Sequence, residues 1–209
     1  MKKRMLAVVL AVCALAVLAI GSTFAFFTSN DNAGNTFTMG NVKIELTETS
    51  TESEGVKTGE VAEDGKGIKY SGAMPGDVFS KEPTVTNTGD NTAWIRVKID
   101  VAVTGVAEGT EPADMEANIA ALKESIVADM VANYGWAVKT TDDGYVYYKT
   151  PVESNCTADL FKTVTIPTSW GNEAAGASFS IEISAQAVQY DNNGASWDQA
   201  SWTDFDTEA

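Results

Sequence analysis

Few residues in this chain can do chemistry, and the missing types are informative. The sequence contains no histidine and two cysteines, Cys13 and Cys156. Without imidazole there is no serine–histidine or cysteine–histidine machinery, and no zinc site of the His-x-x-x-His kind. Cys156 has no base to turn it into a thiolate. The 29 acidic residues make chance carboxylate pairs inevitable, and spacing singles out none of them. Asp191-Asn192-Asn193-Gly194 and Ser29-Asn30-Asp31-Asn32 resemble fragments of calcium loops. Neither carries the full ligand series closed by a glutamate, so both read as turns. The glycines are scattered and build no phosphate-cradling loop. The expectation is a protein that is not an enzyme and that holds no metal and no cofactor.

One bond near the N-terminus does have a chemical future. Lys2, Lys3 and Arg4 precede an uncharged apolar run, Met5 to Ile20, and small residues then lead to Ala25. This is the three-part pattern of a secretory signal peptide, residues 1–25, cut between Ala25 and Phe26 by a signal peptidase during export. A permanent membrane anchor is the competing reading. The run of 16 apolar residues falls short of the ~20 that a spanning helix needs, so no permanent anchor is expected. Cys13 lies in the middle of the run, after Leu10-Ala11-Val12, which argues against lipidation.

The elements that position this cut come next. Residues 26–40 read as an N-terminal arm and first strand, with Phe26, Phe27, Phe37 and Met39 as its apolar side chains. The arm is either a strand given to a neighbouring subunit or the first strand of its own domain. Phe37 and Met39 also fit the core of their own domain. Residues 41–209 read as one β-sandwich domain.

Removing residues 1–25 takes away three bases and no acid, moving the formal charge from −15 to −18. So acidic a surface excludes nucleic acid, whose phosphates want Lys and Arg. It also repels anionic membranes and other copies of itself, an effect that salt screens. With Cys156 as the one remaining thiol there is no intramolecular disulfide; a dimer joined through Cys156 is the alternative, and an ordinary buried cysteine is the expectation.

Alternation with a period of two marks the strands. Asn35 to Leu46 directs Val42, Ile44 and Leu46 to one face. Thr47 to Gly67, rich in Thr, Ser, Glu and Gly, reads as a long solvated loop. Met74-Pro75-Gly76-Asp77 is a turn, and Pro83 to Thr88 is a short strand closed by the turn Asn87-Thr88-Gly89-Asp90. Ala93 to Val103 is the clearest strand, a central one, with Ile95, Val97, Ile99, Val101 and Val103 on one face and Trp94, Arg96, Lys98 and Asp100 on the other. Pro112 to Asn133 changes period: Met115, Ile119, Leu122, Ile126 and Met130 form one helical stripe. Thr141-Asp142-Asp143-Gly144 joins two strands as a hairpin. Leu160 to Pro167 and Phe179 to Gln189 complete the set, before an acidic tail bearing Trp197, Trp202 and Phe205. The predicted fold is all-β: an antiparallel jelly-roll-like β-sandwich with one inserted amphipathic helix at about 112–133.

Four stretches, FAFFTSNDNAGNTFTMGNVKIELTE, MPGDVFSKEPTVTNTGDNTAWIRVKID, LFKTVTIP and ISAQAVQYDN, together resemble the TasA/camelysin family of secreted bacterial proteins. The resemblance implies a jelly-roll β-sandwich, an extracellular life in the biofilm matrix or at the cell surface, and assembly into fibres. In such a fibre the N-terminal strand of one subunit completes the sheet of the next, so the main partner is another copy, with a further matrix or anchoring protein as a second. Two alternatives stay open: a secreted camelysin-type peptidase, which the absence of histidine places in doubt, and a minor fibre-anchoring or adhesin subunit.

Overall fold

A computed structural model describes residues 41–61, 68–70, 72–106, 113–141, 143–171 and 174–202. In chain order the elements are β1 (Ile44–Thr49), β2 (Glu60–Val61), β3 (Ile68–Lys69), β4 (Val78–Ser80), β5 (Glu82–Asn87), β6 (Ala93–Gly105), α1 (Ala113–Asn133), β7 (Trp136–Val138), β8 (Val146–Tyr148), β9 (Thr157–Asp159), β10 (Thr163–Thr165) and β11 (Ser178–Gln189). The fold is all-β with one helix among the described residues. Every named strand pairing is antiparallel.

Two sheets carry most of the structure. One has the order β11-β6-β8-β7 and the other β1-β5-β9. Strand β6 is long because its Val and Ile alternation suits a pleated, packed surface. It pairs with β11 along nearly its whole length, setting Ile95 opposite Ala187 and Ile99 opposite Ile183. Ile95, Val97 and Ile99 are fully buried. They share one core with Val85 and Ala158 of the second sheet, Phe79 of β4 and Val164 of β10.

Helix α1 adds its stripe to that core. Met115, Ile119, Leu122, Ile126 and Met130 are all buried, and the helix packs on β6 and β7. Burying five such side chains contributes on the order of 10 kcal/mol before ordering costs. The helix stops at Tyr134, whose N–H still donates to the Met130 carbonyl at 3.1 Å. Gly135 follows with φ +79°, the left-handed conformation that ends a helix and that glycine adopts without a Cβ penalty. Among the described residues no helix is long and apolar enough to cross a membrane.

Three expectations need correction. Thr47 to Gly67 is not simply a solvated loop: β1 runs on through Thr49, and Glu60–Val61 pairs with Ile68–Lys69. Between them the Lys57 N–H donates to the Val78 carbonyl at 2.8 Å, and the Ser80 N–H to the Lys57 carbonyl at 2.9 Å. Hydrogen bonds to the edge of β4, rather than apolar burial, order this polar stretch. Leu160 to Pro167 is not one strand. Leu160 and Phe161 are buried where the chain passes from β9 in one sheet to β10 in another. Cys156 is exposed, not buried. It lies just before the short strand β9, whose one inward residue is Ala158.

Candidate assembly surface

The predicted site residues Ala25, Phe26, Phe27, Phe37 and Met39 lie outside the described residues, as does Phe205. The surface is therefore built from the point where the arm joins the domain. At Asn41 to Lys43 the chain is gripped by the turn that follows β5. Four successive amides close on two carbonyls. Thr88 and Gly89 donate to the Lys43 carbonyl at 2.8 and 3.0 Å, while Asp90 and Asn91 donate to the Asn41 carbonyl at 3.1 and 3.2 Å. Successive N–H groups aimed into one concavity form a nest for negatively polarised oxygen.

Asn87 shapes that turn from beneath. It is fully buried, and its side-chain amide donates to the Asn91 and Val152 carbonyls, each at 2.8 Å. Its side-chain oxygen accepts from the Gly89 N–H at 3.0 Å. A buried amide with this many partners ties three segments together at no desolvation loss.

From Asn41 the chain leads into β1, an edge strand. Ile44, Leu46 and Glu48 stand opposite Asn87, Val85 and Pro83, so they share the face of the buried Val85. Ile44 is half-buried against the main core. Leu46 points the same way yet is 38% exposed. Glu48 pairs with the buried Lys81, Nζ to Oε2 at 2.5 Å. The apolar part of this face thus ends after Leu46, and an inward charge pair follows. Such pairs on edge strands discourage indiscriminate pairing.

The other sheet ends at β11. Its inward residues Phe179, Ile181, Ile183, Ala185 and Ala187 are half-buried rather than buried. Strands β1 and β11 approach each other. Among the described residues neither has a partner on its outer side. Together they form a rim of two backbone edges, unpaired among the described residues, beside partly covered apolar side chains.

The opposite face of β6 is closed. Trp94 and Arg96 lie on this face, and both are buried. The chain from Tyr190 to Trp202 covers them, with Ala200 and Trp202 buried beside Trp94, Tyr147 and Val188. The Arg96 guanidinium lies 3.8 Å from the Tyr145 ring centre and 4.5 Å from that of Trp202. Its Nε donates to Gln186 Oε1 at 2.7 Å. Tyr147 donates to Asp143 Oδ2 at 2.5 Å, and burial first, then that carboxylate, pushes its hydroxyl up to about 12.

Other titrating groups serve structure. Burial raises the Tyr70 hydroxyl to about 12, and it donates to the Ser80 carbonyl. A hydrogen bond from Lys57 holds Asp77 below the usual carboxylate range. Bonds from Thr51 and Ser80 do the same for Glu82 against the opposing effect of burial. Among the described residues no three Cys, Asp or Glu side chains gather to hold a metal ion.

Sequence reasoning marked the Asn-Thr-Gly-Asp turn but not its role. The close approach of two backbones at Gly89 leaves no trace in spacing, because the residues it meets are 46 and 48 positions away. No protein-family model matches the chain, and no curated protein matches it.

Proposed function

We propose that this chain is a secreted structural protein of the extracellular matrix that polymerises into fibres, giving its N-terminal strand to a neighbouring subunit. On this reading the two main sheets are the halves of a jelly-roll-like β-sandwich. The observation that carries the reading is the rim: two edge strands without outer partners among the described residues, beside apolar side chains that remain partly uncovered. An extended peptide adds to such an edge through backbone hydrogen bonds, and alternate side chains set its register.

The arm has the matching chemistry. Phe26 and Phe27 would contribute on the order of 3–6 kcal/mol when buried, before ordering costs. Giving a strand head-to-tail does not close on itself, so it yields filaments. The resemblance to the TasA/camelysin family supports the same reading. The test compares protein starting at Phe26 with protein starting at Gly40 by electron microscopy. Filaments from the first and none from the second are expected, and equal filaments from both would overturn the proposal.

A further inference from the structure

The turn that follows β5 grips Asn41 to Lys43, the residues that come directly after the arm in the sequence. We propose that Thr88 to Asn91 form a clamp that sets the direction in which the segment preceding Asn41 leaves the domain, with Gly89 as its positioning residue. The consequence for fibres rests on the function proposed above; the clamp itself does not.

The argument is steric. A Cβ on Gly89 would lie 2.6 Å from the Lys43 backbone nitrogen and 2.7 Å from the Asn41 carbonyl oxygen. Both atoms are backbone, so no side-chain rotation relieves the contact. Gly89 cannot retreat either. Ser154 Oγ donates to its carbonyl at 2.6 Å, and its N–H is held by Asn87 Oδ1 from the buried side. Asn87 in turn is fixed by the Val152 and Asn91 carbonyls. The side free to give is Asn41 to Lys43. The ladder with β5 begins only at Ile44, so these three residues depend on the turn for their place. Asn41 adds a second hold, its Oδ1 accepting from the Asp90 N–H at 3.3 Å.

Gly89→Ala should therefore push the root of the arm outward and leave the core alone. Amide hydrogen exchange on the full chain reads this directly. The expected result is exchange about tenfold faster at Thr88 to Asn91, the loss of one to two hydrogen bonds' worth of protection, with Ile95 to Ile99 unchanged. Exchange at the turn equal to wild type overturns the clamp. So does a uniform rise that includes Ile95 to Ile99, which would mark Gly89 as an ordinary folding residue. Asn41→Ala removes only the side-chain acceptor and should speed exchange at Asp90 by about twofold; it serves as the reading if G89A fails to fold.

The assembly arm uses the exported form of the same proteins and a synthetic peptide of residues 26–40. G89A should form no filaments, because its arm is misdirected, while still binding the peptide as tightly as wild type does, because its rim is intact. Filaments equal to wild type overturn the directional role. If wild type itself forms no filaments, the fibre reading fails and exchange alone decides the clamp.

Discussion

Trp94 and Arg96 point away from the main core and are nevertheless buried, whereas Leu46 points toward the core and is 38% exposed. The first pair lies under the chain's own C-terminal stretch, where the Arg96 guanidinium packs on the ring of Trp202 and also on that of Tyr145, from the segment before β8. The second lies on an edge strand that no described residue pairs on its outer side. One region is finished by its own chain, and the other is left open by the described residues. The difference teaches that outward-facing alternation does not mean solvent, and that inward-facing alternation does not mean burial. What covers a face is decided by segments distant in sequence.

Experiments can break this contrast, and the closed region should show the largest effect. Trp202→Ala should cost about 3–5 kcal/mol, as large aromatic truncations in packed sites do, measured by urea unfolding. A cost under about 1 kcal/mol would mean the C-terminal cover is ornamental. Arg96→Ala should follow at about 2–3 kcal/mol, through loss of stacking on two rings and of its bond to Gln186. A pair of melting curves at neutral pH separates that from no effect.

The next effect is alkaline. The Tyr70 and Tyr147 hydroxyls are raised from about 10 to about 12 in the folded chain. A raised acid holds its proton in the folded state longer than in the unfolded state. Its stabilising contribution is complete below pH 10 and is lost as pH climbs through 10 toward 12. Melting temperature should fall across that window, and Tyr147→Phe should fall less steeply than wild type. Parallel slopes would remove the burial argument for Tyr147.

The open region should give the smallest change in the stability of a single chain. Leu46→Ala should cost less than about 1 kcal/mol, since the side chain is already partly in water. Leu46→Asp should nevertheless abolish filaments. A cost above about 2 kcal/mol for L46A would show that Leu46 is core after all, and the contrast with Trp202 would collapse.

How much of this was legible varies by residue. Met115, Ile119, Leu122, Ile126 and Met130 were readable because a helix obeys a local period, and all five are buried. The inward set of β6 was readable for the same reason. The burial of Trp94 and Arg96 on the other face was not readable, because only the return of Tyr190 to Trp202 covers them. The grip on Asn41 was invisible, since backbone amides carry no letter in a sequence. Cys156 was misplaced because a lone cysteine is more often buried, while its position ahead of a three-residue strand leaves it outside.

By itself the sequence determined the helix stripe, the long central strand, the turn chemistry, the acidic balance and the absence of imidazole chemistry. These depend on residue type and short-range period. Tertiary structure alone decided which faces are covered, how Gly89 meets Asn41, and that β1 and β11 approach as two edges. Those are contacts between segments tens of residues apart, and their free energy resides in pairs that no local pattern encodes.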